Sequence, residues 1–420
     1  MSIFLKHRNM RPIYFKRNLN LFFSLLFTFS VTQSFSQTFT TKSLGKNIKT
    51  QGIVFYSANE GYMCGDQGSI FKINADGSTT ELTTPTTEDL WRISVIPNTN
   101  GQGFIAVGDN NTVLKSTDGG QTITPLTIPQ ATGSFVFGVQ CMDADTYFVA
   151  GGDFGVGKGT VLKTTDGGNN WVKSTLDGSL FIDNVFFVDA NAGYAVGGGP
   201  MNGEIFKTTD GGVIWSSVLS TASLMVNVYC HDADNVVAVG LGGQIYKTDN
   251  GGQSWFDKKQ GNIDYYGVEF VNASIGYVSG GTTSSVLLKT TDGGENWQAA
   301  TVPNIGVLWN MAASSDKLAV VGSDGEWAIA NSPTLSGKTI ETSSTNIYPN
   351  PSNGFITVST DITDEIEVTI QTIEGKLVYQ NKLVNNNNKT LDVSVLNSGV
   401  YIMRLSTGNH IFKTQKLIIN

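Results

Sequence analysis

The sequence predicts an all-β chain: a seven-bladed β-propeller followed by a small Ig-like β-sandwich. Three observations carry that expectation. A segment of the form Lys-Thr-Thr-Asp-Gly-Gly-x-x-Trp starts at Lys163, Lys207 and Lys289, and a variant runs from Lys247 to Trp255. The copies recur at the period of a four-stranded propeller blade. Beyond the first 36 residues helical periodicity is hard to find, and short apolar runs alternate with Gly- and Thr-rich turns.

The spacing fixes the blade count. An earlier copy, Lys115 to Gly120, has Ile123 where Trp should stand, a weaker one is Lys72 to Gly77, and the last, at Ile329, has lost its Lys, Asp and Trp. From Lys72 the steps are 43, 48, 44, 40, 42 and 40 residues. Upstream of the turn lies a second signature, as in Val185-Phe186-Phe187-Val188 followed by Gly193-Tyr194-Ala195-Val196-Gly197. Two apolar runs around an Asp/Asn/Gly turn read as a hairpin. Gly203-Glu204-Ile205-Phe206-Lys207-Thr208 alternates as a third strand, the Asp-Gly-Gly turn reverses the chain, and Trp215 is expected on a fourth, outer strand.

In that turn the Asp accepts backbone N–H bonds, Gly supplies the positive φ and Trp packs between blades. Asp118, Asp166, Asp210 and Asp292, with Trp171, Trp215, Trp255 and Trp297, are therefore read as structural. Repetition supports this, because a catalytic site is needed once.

These motifs resemble the Asp-box, or BNR repeat, of sialidases and related propellers. The fuller unit, Gly-Tyr-x-x-Gly followed by Ile-x-Lys-Thr-Thr-Asp-Gly-Gly-x-x-Trp, is similar to the photosystem II assembly-factor propeller family over roughly residues 51–332. The resemblance implies the fold and leaves the function open, since propellers host many activities.

Around the repeats, residues 1–36 read as a secretory signal peptide. They hold five basic and no acidic side chains, a largely apolar run from Leu19 to Val31, and Ser34-Phe35-Ser36 before a cut at Gln37. That run is short for a spanning helix, so no membrane insertion is expected after the leader is removed. The propeller is assigned to 37–337 and a linker to 338–345. Copies one and seven are the most degenerate, and residues 38–46 are expected to complete the last blade and close the ring. The chain carries −8 overall and −13 without the leader, all of the excess lying in the repeats. That balance disfavours nucleic acid and anionic membrane as partners. Cys64, Cys141 and Cys230 fall in predicted strands and read as small buried residues, not a disulfide framework. His231 is the lone histidine of the repeats, so a Cys/His metal site is not expected, no EF-hand spacing is present, and no cofactor is expected.

Residues 346–420 form a different unit. Tyr348-Pro349-Asn350-Pro351 opens it, followed by Gly375-Lys376-Leu377-Val378, by Leu396-Asn397-Ser398-Gly399-Val400-Tyr401 and by a closing Lys416-Leu417-Ile418-Ile419. Short strands split by Gly/Asn turns suffice for a small sandwich. The motifs, in this order, resemble the type A C-terminal sorting domain of the type IX (Por) secretion system. The resemblance implies a Gram-negative, Bacteroidetes-type source, Sec export, passage over the outer membrane through type IX machinery that engages 346–420, and a secreted or surface-held product.

Enzyme classes can be tested on residue types. Sialidases hold a carboxylate with three arginines, and Arg92 is the lone arginine between Gln37 and Thr345. Sialidase activity is thus disfavoured, and no catalytic residue is assigned. A carboxylate-based glycoside hydrolase remains the alternative to a non-catalytic binding module for glycan or protein. The segments entering the blades are aromatic or apolar, including Trp91, Phe135, Phe181, Met225 and Trp309. Tyr265 and Tyr266 are neighbours, and neighbours on a strand point to opposite sides. One of them should face the channel mouth, on the side away from the Asp-Gly-Gly turns. Trp91, Tyr265, Tyr266 and Trp309 are accordingly the candidate ligand-binding residues.

Overall fold

A computed structural model gives the fold and describes residues 37–130, 133–153, 155–315, 317–331, 346–360, 365–372, 376–383, 388–407 and 410–420. The leader assigned to 1–36 and the linker assigned to 338–345 lie outside the described residues.

Each repeat becomes one antiparallel four-stranded sheet, seven in all among the described residues. In blade 4 the order from the centre outward is Phe181–Phe187, Gly193–Gly199, Asn202–Thr208 and Ser216–Thr221. The second strand is buried along its whole length because neighbouring sheets cover both of its faces. The Gly-Tyr signature lies on this strand. The Tyr62 hydroxyl of blade 1 donates to the Gly101 carbonyl of blade 2 at 2.6 Å, and Tyr194 of blade 4 donates to Ala233 of blade 5 at 2.9 Å. These two phenols fill the seam between two sheets and end on a backbone acceptor, so their polar tips are not stranded.

The ring closes with strands from both ends of the repeat region. Thr40–Ser43 is the outermost strand of blade 7 and pairs with Glu326–Asn331, Thr40 opposite Ile329 and Ser43 opposite Glu326. Blade 7 thereby gains its fourth strand, and the edge of Glu326–Asn331 is covered.

The Asp-Gly-Gly turn is held by a repeated set of bonds. In blade 3 the Thr164 hydroxyl accepts the Gly168 N–H at 3.0 Å and donates to the Asp166 carboxylate at 2.8 Å. That carboxylate also accepts the Asn170 N–H at 2.8 Å. Bonds from Asn170 and Thr164 hold the Asp166 carboxyl down at about 2. Gly167 and Gly168 have φ of +72° and +97°, where a Cβ would be strained. Asp118, Asp210 and Asp292 accept equivalent backbone bonds. Lys163 reaches into the next blade and donates to the Gly211 carbonyl at 2.9 Å, as Lys115 does to Gly167 at 2.8 Å and Lys207 to Gly251 at 2.7 Å.

The tryptophans differ from expectation in one respect. Trp171, Trp215, Trp255 and Trp297 stand one residue before the outer strands that begin at Val172, Ser216, Phe256 and Gln298. From that position the indole folds back under its own turn, and Trp171 and Trp215 donate to the Gly168 and Gly212 carbonyls at 3.1 Å. Their rings pack against residues of their own and the preceding blade. Cys64, Cys141 and Cys230 are buried and unpaired with one another.

The C-terminal domain has one sheet of Asn346–Tyr348, Phe355–Ser359 and Asn388–Asp392. The other is ordered Leu377–Leu383, Ile366–Thr372, Gly399–Thr407, His410–Ile419. Its core includes Ile356, Val368, Ile370, Leu391, Met403, Leu405 and Leu417.

Candidate ligand-binding site at the mouth of the channel

The innermost strands all begin at the face opposite the Asp-Gly-Gly turns, and most begin with the same irregularity. Pairing with the second strand slips by one residue between Thr50 and Gly52, Leu90 and Arg92, Val136 and Gly138, Ile182 and Asn184, Met225 and Asn227, and Tyr265 and Gly267. Each slip is a β-bulge with one extra residue, and a bulge re-aims a side chain. The extra residues are Gln51, Trp91, Phe137, Asp183, Val226 and Tyr266. In blade 7 Trp309 has the matching place, one residue before the strand Asn310–Ala313. All seven line one cavity of about 180 Å³, together with Arg92, Leu224 and Leu241.

Three of the four sequence-selected residues meet there. Trp91, Tyr266 and Trp309 line the cavity, each half-buried. Tyr265 does not. It is 1% exposed, packs with Val237, Val239, Ile245, Val268 and Phe270, and donates its hydroxyl to the Gln260 carbonyl at 3.0 Å. Tyr265 therefore belongs to the core between blades 5 and 6, the bulge having turned Tyr266 alone toward the mouth.

The aromatic rings are tied in place. The Trp91 indole N–H donates to the Asp109 carboxylate, and the Trp309 indole donates to Ser323 Oγ at 3.3 Å. Tyr266 and Trp309 have centroids 4.7 Å apart, Trp91 meets Phe137 edge-on at 5.5 Å, and Lys49 Nζ lies 5.5 Å over the Trp309 ring. Burial pushes the Asp109 carboxyl up while the Trp91 bond pulls it down.

Two opposite charges share this lining. Arg92 extends from blade 2 toward blade 5 and donates an Nη2 hydrogen bond to the Val226 carbonyl at 3.3 Å. Asp183, on blade 4, has one carboxylate oxygen buried without a hydrogen-bond partner. Burial pushes its carboxyl up to about 7 against the opposing pull of Arg92. Burial likewise lowers the Arg92 pKa, with Asp183 acting the other way. On the inner strand of blade 6 the half-buried Glu269 carboxyl is pushed up to about 8 by burial.

Phe137, Asp183, Arg92, Gln51 and Val226 escaped sequence selection, though a signal was available. The residue after the bulge is Gly52, Gly138, Asn184, Asn227, Gly267 or Asn310, and Arg92 is the exception. The position is constrained because it abuts the next blade's inner strand. A Cβ on Gly138 would meet Asn184 Cα at 2.9 Å, and one on Gly52 would meet Arg92 Cα at 3.0 Å. Asparagines instead bridge the seam, Asn184 Nδ2 donating to Asn227 Oδ1 at 2.7 Å and Asn227 Nδ2 to the Tyr266 carbonyl at 3.0 Å.

Residues 346–420 match the family described as Secretion system C-terminal sorting domain, and residues 74–261 match Photosynthesis system II assembly factor YCF48. The chain resembles the assembly-factor propellers and ends in a type IX sorting domain. Such a domain marks the chain for export and for the cell surface. Among solved structures, YCF48 bound to D1 peptide is 16% identical, with a TM-score of 0.55 over 70% of this chain and 97% of that one. The GH74 enzyme of Niastella koreensis is 15% identical, with a TM-score of 0.55 over 90% and 74%. PorZ, a surface component of the type IX secretion system of Porphyromonas gingivalis, is 15% identical, with a TM-score of 0.55 over 88% of this chain and 59% of PorZ. At these identities the likenesses carry the fold alone. No curated protein sequence matches the chain. Among the described residues no group of three or more His, Cys, Asp or Glu is placed to hold a metal ion, and no helix is long and apolar enough to cross a membrane.

Proposed function

We propose that this is a surface-displayed binding propeller, carried out by its type IX sorting domain, that takes a glycan or protein ligand at the channel mouth without transforming it. The observation behind this reading is the convergence of six bulge residues and Trp309, four of the seven aromatic, on one cavity. Large rings with few torsions give contact area at low entropic cost. The lining offers one carboxylate, Asp183, whereas two-carboxylate glycoside hydrolysis needs a pair about 5–9.5 Å apart. Beyond the cavity, on loops of the same face, Val156, Leu180 and Met201 are 55%, 46% and 87% exposed. They extend the apolar surface available to a macromolecular ligand. Among the structural neighbours, YCF48 is described as bound to a peptide and the GH74 protein as an enzyme, and the single carboxylate favours the first kind of behaviour.

The test is capture. The immobilised full chain is exposed to cell-surface extracts, with Trp309→Ala and Tyr266→Ala chains as controls. The reading requires a retained glycan or protein fraction that both variants release while melting within about 2 °C of the parent chain. Equal retention by all three chains would overturn it.

A further inference from the structure

The mouth cavity carries both signs of charge, which restricts what can enter it. Asp183 lines the cavity, and one of its carboxylate oxygens is buried with no protein donor. Arg92 uses Nη2 on the Val226 carbonyl and has further donors in its fork. A ligand ammonium would be drawn by Asp183 and repelled by Arg92, and a lone carboxylate would meet the reverse. An uncharged ligand that satisfies both carries a hydrogen-bond donor beside an acceptor. The remaining lining asks for something flat and apolar, because Phe137, Tyr266 and Trp309 present ring surface.

We infer that this cavity holds one uncharged sugar ring, the end or a side branch of a glycan. The inference rests on the binding reading above and narrows it to a ligand class. A sugar ring has C–H faces that pack on aromatic rings and an edge of hydroxyls that donate and accept. Its hydroxyls donate to Asp183 and accept from Arg92. A cavity of about 180 Å³ is small beside the ~300–1,000 Å³ of pockets that enclose drug-sized ligands, so it takes one ring and leaves the rest of the chain outside. Trp91 and Trp309 are already fixed by Asp109 and Ser323, so little ordering remains to oppose binding.

The geometry also sets a pH signature. Arg92 is the charged group that acts on the Asp183 carboxyl. Donation from sugar hydroxyls favours the carboxylate form, so binding lowers the Asp183 pKa and releases a proton. Affinity rises as pH increases through about 7 and levels off above it.

The experiment follows tryptophan emission of the full chain during titration with neutral hexasaccharides of glucose, xylose, mannose and galactose, and separately with pentaglycine. At least one saccharide is expected to bind with a Kd of about 1 mM or tighter, the range open to one small ring. Phe137→Leu should weaken that binding at least about tenfold, and Asp183→Asn should abolish its rise between pH 6 and 8, neither lowering the melting temperature. Silence of the whole saccharide panel at about 10 mM overturns the inference, as does saccharide binding indifferent to both variants. Pentaglycine binding that Phe137→Leu weakens would overturn the sugar assignment and leave the mouth as a binding site. Failure of surface-extract capture would instead sink the broader reading.

Discussion

Tyr265 and Tyr266 are adjacent, chemically identical and assigned to opposite environments, so truncating each in turn separates core from site. In Tyr265→Ala the lost phenol is fully buried between blades 5 and 6. Emptying such a position costs about 3–5 kcal/mol, as for other core aromatics. The Gln260 carbonyl also loses its donor, adding about 1 kcal/mol. Unfolding entropy near 2.1 cal/mol/K per residue over roughly 300 propeller residues gives about 0.6 kcal/mol/K, so melting should fall by about 6–10 °C. Tyr266→Ala removes a half-buried ring whose main partner is Trp309 at 4.7 Å. Its wall faces an open cavity, so no closed void forms, and loss of one aromatic pair costs about 0.5–1.5 kcal/mol, or about 1–2 °C. The assay is scanning calorimetry of the full chain and both variants, following the propeller transition. Equal losses, or a larger loss for Tyr266→Ala, would refute the placement of the bulge and with it the seven-residue mouth.

Two further outcomes are expected. Glu269 has a folded-state pKa near 8, above its ordinary 4.5. Its contribution to stability is therefore full below about 4.5, declines as pH rises, and is lost above about 8; Glu269→Gln should remove a few kcal/mol of that decline, and urea unfolding curves of the two proteins that stay parallel across this range would count against it. Removing 346–420 should leave the propeller strands paired as they are, since each pairs only with others between Thr40 and Asn331, but hold the protein in the periplasm; cell fractionation that still finds it at the surface would contradict the sorting role.

The ring was legible in the sequence because its determinants are local and repeated. A Thr-Thr-Asp-Gly-Gly turn satisfies itself within five residues through Thr164, Asp166 and Gly168, so its meaning does not depend on distant partners. The closing strand was legible for a different reason. Degenerate first and last copies would otherwise leave an open edge, and Thr40–Ser43 covers it. The mouth was only partly legible. Alternation identified Tyr265 and Tyr266 as opposed but could not say which faced inward, because a bulge shifts the phase of the strand it interrupts.

The same phase shift explains why Phe137 and Asp183 were missed. Read with strict alternation, Phe135 and Phe181 lie on the same side as Phe137 and Asp183, so the pattern does not single out Phe137 or Asp183. Pairing shows that Val136 opposite Gly151 is followed by Gly138 opposite Ala150, which ejects Phe137 from the ladder. The slip recurs at an equivalent place in six inner strands, so the bulge is a property of the blade. The residue it ejects is free to differ from blade to blade. A fixed backbone device thus presents six independently chosen side chains, joined by Trp309, to one cavity, while the Asp-Gly-Gly turns at the other end maintain the ring. In this chain the choices are four aromatics, one amide, one aliphatic and one carboxylate, with Arg92 beside them. That set is near neutral although the propeller as a whole is acidic. Binding at the mouth should therefore respond weakly to ionic strength, because short-range contacts and a compensated charge pair carry it, not the field of the acidic surface.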